Sequence, residues 1–326
     1  MSRSDKVLYY LLRRIFKYSS PFTRPLKNSL INSYASEPEA AQPLFILGVP
    51  RSGTTITYQV ISNYFNVLYP DNLVYLCREN PFLGFDLSNR IFGDKPHNCF
   101  SSKQGNTLEC GLHAPSQEPV FWKKYIHKLH KRLHNTEILD DEEKKRIYIN
   151  LFSVINKFKK PMVMKGAAVG NNLKVFLEIF PNAKFIQFTR EPLYTAQSLF
   201  ITTKKMGIDF EDVWMKRIKP YNYQTIFEEP SLYKKIALYI YALYKQNTED
   251  LKYIPRENYI SFSYEELCSS MNMVLGKVDG LLGGHERNRE NVTMPSLKNN
   301  NNQKLSDSDF CKLSKEINSL NWQNII

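Results

Sequence analysis

The chain is short of the residues that would tie it to a metal or a membrane. Cysteine occurs 5 times in 326 residues. No two cysteines form a Cys-x-x-Cys pair, and His97 and His113 complete no metal-ligand spacing with Cys77, Cys99 or Cys110. These three, with Cys268 and Cys311, are expected as reduced thiols, and no metal is expected. No run of about 18 apolar residues occurs, so no membrane span is expected. Charges interrupt every apolar run near the start, so no secretory leader is expected either, and the reading is of a cytoplasmic protein. Net charge is +12, yet no block of like charges stands out. No nucleic-acid motif accompanies the basic excess, so nucleic acid is not expected as a partner. An anionic substrate, an anionic membrane surface, or lysines spread over a solvated surface all fit it. Glycine is also scarce, with 13 residues, so each one is a positional signal.

What is present is a globular chain, 42% hydrophobic and 13% aromatic, long enough to bury a large core. It is organised around Pro43-Leu44-Phe45-Ile46-Leu47-Gly48-Val49-Pro50-Arg51-Ser52-Gly53-Thr54-Thr55-Ile56. An apolar strand-like run ends on Gly48, a short loop follows, and Thr54 opens a helical segment that reaches Phe65. Strand, glycine loop and helix start form an anion cradle. Loop amides and the first helical N–H groups converge there, and the helix dipole adds about half a positive charge. Gly48 and Gly53 have the spacing of a Walker-type phosphate loop, but Thr54 stands where its lysine belongs. Thr55 keeps the hydroxyl, and the loop's cation is Arg51. The alternative is an ordinary strand-to-helix corner.

Along the chain, Val7, Leu8, Leu11, Leu12, Ile15 and Phe16 recur at helical spacing among Lys6, Arg13, Arg14 and Lys17. This predicts a basic amphipathic helix over residues 5–18. Two readings stay open for it: docking on its own domain or a partner, or peripheral contact with the inner membrane face. Residues 1–42 are read as that helix and a connector, 43–285 as the main domain, and 286–326 as a polar linker around Asn299–Asn302 with a short closing helix. Residues 67–69 read as a short strand, and 70–118 as an irregular substrate or lid region. Residues 120–133 and 140–158 read as helices. Further strands are expected at 161–166, 183–188 and 258–262. Helices are expected at 173–180, 193–206, 232–251, from Tyr264 onward, and at 307–320. The fold class is α/β: a P-loop-like parallel sheet of about four to five strands with helices on both faces.

Arg190 falls just past a predicted strand, where open parallel sheets bind ligands. Ser198 follows two helical turns later and lies on nearly the same face. An Arg fork and a hydroxyl aimed at one point suit a dianionic phosphate. Taken alone, an Arg190–Glu191 pair and a solvated serine fit as well.

Together, Pro50-Arg51-Ser52-Gly53-Thr54-Thr55 and Arg190-Glu191-Pro192 with Ser198 resemble the sulfotransferase family, whose sulfuryl donor is 3′-phosphoadenosine-5′-phosphosulfate (PAPS). Lys165 after a strand, Phe180-Pro181-Asn182-Ala183-Lys184-Phe185-Ile186, Tyr264-Glu265-Glu266-Leu267 and Glu118-Pro119-Val120-Phe121-Trp122 resemble its bacterial carbohydrate-type branch. The resemblance covers roughly residues 43–285. It implies that Arg51, Ser52, Gly53, Thr54 and Thr55 hold the 5′-phosphosulfate, and that Arg190 and Ser198 hold the 3′-phosphate. It implies no metal, which suits the missing Walker lysine.

Sulfuryl transfer needs cations and amides where charge builds, a base for the acceptor hydroxyl, and exclusion of water. Arg51 and Lys165 are candidates for the first task. Glu118 is the first candidate base and Asp71 the second. The family's carboxylate follows the loop arginine by about twenty residues, and Asn72 stands at the closest match, a departure from the pattern. His97 and His113 are further candidates. The acceptor is expected to be a hydroxyl of a carbohydrate, glycolipid or other small molecule. A nucleotide kinase or NTPase with a degenerate loop, and a non-catalytic anion-binding or membrane-peripheral protein, are the competing readings.

Overall fold

The structure is a computed structural model describing residues 29–103, 105–117, 120–125, 128–129, 139–170, 172–216, 218–284, 290–323 and 325. The helix expected over residues 5–18 and the candidate base Glu118 lie outside the described residues.

Four parallel strands form the sheet: β1 (Pro43–Leu47), β2 (Met162–Lys165), β3 (Lys184–Thr189) and β4 (Tyr259–Ser263), in the order β2-β1-β3-β4. All three pairings are parallel, with Phe45 opposite Met164 and Phe185. β1 is central and buried at every residue. This is why it reads as one unbroken apolar run: a parallel strand covered on both faces has no polar side. Its alternation still sorts side chains. Phe45 and Leu47 join a core with Phe152, Phe176 and Phe180 on one face. Leu44 and Ile46 join another with Tyr58, Val60, Phe188 and Val278 on the other.

The covering helices are α1 (Thr54–Tyr64), α2 (Asn72–Leu76), α3 (Pro81–Phe92), α4 (Asp141–Phe158), α5 (Leu173–Ile179), α6 (Pro192–Met206), α7 (Leu232–Asp250), α8 (Tyr264–Ser269), α9 (Met271–Leu282) and α10 (Asp307–Asn318). Local chemistry sets several starts. Asp140 and Glu143 close a capping box on α4, and Ser263 and Glu266 close one on α8. A third apolar cluster joins α6, α7 and α10 through Leu199, Phe200, Ile240, Leu313 and Ile317. No described helix is long and apolar enough to cross a membrane.

Four expectations need correction. Where a helix is expected over residues 120–133, residues 120–122 form turns and Lys123–Tyr125 a single 3-10 turn. Residues 67–69 form no strand: Leu68 alone bridges Met162, at the β2 edge of the sheet. The stretch 70–118 is not irregular throughout, because α2 and α3 lie inside it. Their starts are capped by Asp71 and Asn80, and Pro81 occupies the first turn of α3. Gly84, which reads as a turn signal, is within α3. A Cβ there would lie 2.9 Å from Cys77 Cβ and 3.0 Å from Val74 Cα, so glycine lets the two helices touch. Finally, the cysteines are not all thiols. Cys99 and Cys110 are joined in a disulfide with Cα atoms 5.7 Å apart, while Cys77, Cys268 and Cys311 are free. Spacing hides this pair. Lys103 and Asn106 exchange backbone hydrogen bonds of 2.9 and 2.8 Å, turning the chain so that positions eleven apart meet.

Candidate active site

The loop leaving β1 is shaped by backbone constraints. A Cβ on Gly48 would lie 2.6 Å from Thr54 Cγ2 and 2.9 Å from the Phe188 carbonyl oxygen, so only glycine lets the loop close against β3. Gly53 has φ +110° and serves as N-cap of α1, while Arg51 takes φ +70°. A non-glycine residue in that region carries strain, which the surrounding loop has to hold. Ser52 is wholly buried, its hydroxyl donating to the Val49 carbonyl oxygen at 2.9 Å. No side chain caps the first N–H groups of α1, and the positive end of the helix dipole lies there.

β1 and β3 are neighbours, so the loop and the β3–α6 corner meet above the sheet. Arg51 Nε donates to Ser198 Oγ at 3.0 Å, and Arg190 Nη1 donates to the Arg51 carbonyl oxygen at 3.2 Å. Arg190 also lies over the Tyr264 ring, 4.6 Å from its centroid. Burial, and secondarily the Arg190 charge, push the Arg51 pKa below its usual value. At the other side of the loop, Lys165 ends β2. Its Nζ donates to Thr55 Oγ1 at 3.1 Å and to Gln117 Oε1 at 2.6 Å. Burial, with Arg51 adding repulsion, pulls its pKa down to about 7. None of these three cations has a carboxylate ion-pair partner among the described residues. Amide oxygens hold two of them instead. Gln117 accepts from Lys165, and Asn301 Oδ1 accepts from Arg190 Nε at 2.9 Å while its Nδ2 donates to Glu265 at 2.5 Å. Clustered cations that repel one another, beside an uncapped helix, have the charge to suit a multiply charged anion.

A family model described as the sulfotransferase family matches residues 43–283, most of the chain. The chain belongs to the sulfotransferase family. Among solved structures it is similar to a sulfotransferase from Mycobacterium avium, at 11% identity and a TM-score of 0.47, covering 90% of this chain and 72% of that one. It is also similar to one from Mycobacterium tuberculosis, at 13% identity and a TM-score of 0.46, covering 98% of this chain and 85% of that one. A protein from Aquifex aeolicus, itself uncharacterised, is 25% identical over 222 residues, 66% of this chain. That match spans only 25% of the Aquifex protein's own length.

In this member of the family the candidate residues divide into two groups. Arg51, Ser52, Gly53, Thr54, Thr55, Lys165, Arg190 and Ser198 gather at one end of the sheet. Asp71 does not face them with free acceptor atoms. It is 1% exposed, its Oδ1 accepts from Val74 N at 2.8 Å, and its Oδ2 accepts from Ser88 Oγ at 2.5 Å. His113 Nδ1 lies 3.4 Å from the same Oδ2, and the ring stacks on Phe92 at 4.4 Å. Asn72, next to Asp71 in sequence, is 3% exposed and donates to the Gly111 carbonyl oxygen at 2.7 Å. His97 Nε2 contacts the Gln59 carbonyl oxygen at 3.0 Å. Two contributors escape sequence reading. Gln117 looks like any polar loop residue beside Glu118. Asn301 sits in an asparagine run that reads as linker, yet the segment is strapped down. Gln197 Nε2 donates to the Asn302 carbonyl oxygen at 2.9 Å, and Lys304 N donates to Gln197 Oε1 at 2.7 Å.

Proposed function

We propose that this sulfotransferase moves a sulfuryl group from PAPS to a hydroxyl of a carbohydrate, glycolipid or other small acceptor, without a metal. The observation that carries this is the meeting of Arg51, Ser198 and Arg190 at the mouth of the loop. One anion-binding bay is thereby built from two anchors 139 residues apart in sequence. PAPS supplies the sulfuryl group and two further anionic ends. The loop amides, Ser52, Thr54 and Thr55 bind the 5′-phosphosulfate, and Arg190 and Ser198 bind the 3′-phosphate. Arg51, between the two, offsets charge on both sides. Lys165 and Thr55 present N–H and O–H groups to the sulfuryl oxygens. An anion bound there favours the charged form of Lys165 and restores its proton near neutral pH.

Glu118 is our choice for the base that accepts the acceptor's proton. It follows Gln117 directly, and Gln117 touches both Lys165 and Thr55. Asp71 is second choice, since its oxygens already accept bonds that hold α2 and α3. A cytoplasmic site of action, with or without peripheral membrane contact through residues 5–18, belongs to the same proposal, and there the Cys99–Cys110 bridge is expected to form and open with the redox state of the compartment.

The test combines binding and chemistry. Adenosine 3′,5′-bisphosphate should stabilise the protein thermally without added metal, and a response to Mg-ATP alone would replace this reading with a nucleotide kinase or NTPase. Cell extract incubated with enzyme and PAPS should yield a product heavier by the mass of one sulfuryl group. With that product in hand, Glu118→Gln should slow single-turnover transfer about 100-fold or more, leaving bisphosphate affinity unchanged. An unchanged rate moves the base to Asp71 or a histidine.

A further inference from the structure

Gln117 is the residue through which the distant 99–110 loop reaches the loop end of the site. Its Nε2 donates to Thr55 Oγ1 at 3.1 Å and its Oε1 accepts from Lys165 Nζ at 2.6 Å, while Lys165 Nζ donates to Thr55 at 3.1 Å. Three side chains from three segments thus close a triangle. The amide has backing. A Cβ built on Gly105 would lie 2.6 Å from Gln117 Oε1 and 2.8 Å from Nε2, so the Gly105 backbone lies against it. Gly105 has φ +95° and belongs to the loop closed by the Cys99–Cys110 disulfide. That loop is tied to α1 as well, since Gln59 Nε2 donates to the Ser101 carbonyl oxygen at 3.0 Å.

The chemistry favours an amide at this position. A carboxylate would pair with Lys165 and spend its charge. The amide oxygen orients Nζ and leaves the charge to act on an anion. The amide N–H and the Lys165 ammonium together occupy both lone pairs of Thr55 Oγ1, which fixes that hydroxyl and leaves its O–H to donate to an anion.

We infer that Gln117 is a positioning residue that aims Lys165 and Thr55 at the sulfuryl end of the donor, and that the disulfide-closed 99–110 loop holds Gln117 in place. This rests on the sulfotransferase reading above.

Calorimetry with two probes separates the two ideas. PAPS carries the sulfuryl group and adenosine 3′,5′-bisphosphate lacks it, so the ratio of their affinities reports contacts to that group alone. Gln117→Ala and Gln117→Glu should each weaken PAPS binding about tenfold, as expected for losing a well-aimed bond from a charged donor, with bisphosphate affinity within about twofold of wild type. Cys99→Ser/Cys110→Ser should weaken PAPS binding severalfold in the wild-type background and not further in Gln117→Ala, because both changes act through one side chain. If both Gln117 variants keep the wild-type PAPS-to-bisphosphate ratio, the positioning role is wrong while the family reading stands. Equal losses for both probes would make Gln117 merely structural. If wild type binds neither probe, the PAPS reading itself fails.

Discussion

The starts of the first two helices treat polar groups in opposite ways. At the start of α1 the cap is Gly53, which offers no side chain, and three cations nearby lack carboxylate partners among the described residues. At the start of α2 the cap is Asp71, and both of its oxygens accept hydrogen bonds. The second arrangement spends its polar groups on the fold: each bond pins α2 to the turn before it or to α3. The first leaves them open and tolerates the repulsion between Arg51 and Arg190. Mutually repelling charges held by neutral acceptors alone are destabilising by themselves, an arrangement expected where a ligand supplies the counter-charge.

Mutations can break this contrast. The largest effect is expected at Arg190 and Arg51. Alanine at either should weaken adenosine 3′,5′-bisphosphate binding by at least about 100-fold by calorimetry, with the melting temperature unchanged or raised. Wild-type affinity in either variant would mean that the bay binds something else.

Asp71→Ala should do the reverse. Losing the cap on Val74 and the Ser88 bond should cost about 2–4 kcal/mol of stability in denaturant unfolding, with bisphosphate affinity intact. A variant of normal stability that no longer transfers would instead make Asp71 the base.

Lys165→Met sharpens the contrast through pH. Burial and Arg51 pull Lys165 to about 7 from an ordinary 10.5, so between those values the unfolded chain holds more protons than the folded one. Stability contributed by this residue therefore rises with pH across that window. The methionine variant should be more stable than wild type by about 1–3 kcal/mol at pH 6, partial exposure considered. Unfolding curves should show the gap closing toward pH 10, while PAPS binding weakens at neutral pH. A gap that widens with pH would contradict the assignment.

The smallest effect is expected at Asp140. Alanine there opens the capping box of α4, far from the bay in function, and should cost about 1 kcal/mol with no change in ligand affinity.

How much of this was legible follows from the range of the interactions. β1, its loop and the Arg190–Ser198 corner are written locally: an apolar run, a glycine spacing, an arginine after a strand. The strand order was accessible only as a class, because register is a pairing of distant segments. In residues 70–118 a local signal has a tertiary cause. Gly84 answers to Val74 and Cys77 across a helix contact, not to a turn. The Cys99–Cys110 bridge depends on a turn between the partners that no cysteine spacing rule describes. Gln117 and Asn301 are invisible for the same reason. An amide carries no charge pattern, and its meaning comes from a cation that approaches from another strand.

The position of the bay on β1 and β3 has a thermodynamic consequence. These two strands are adjacent and β1 is buried along its whole length. Separating the anchors therefore requires breaking the centre of the sheet, which is among the last parts of a domain to open. A bound anion is then a clamp on global unfolding, where a ligand held by an edge loop would protect only that loop. At a hundred times its dissociation constant it should add about 2.7 kcal/mol to the stability of the whole fold. The slowest-exchanging amides of β1 and β3 should slow together by the corresponding factor of about 100.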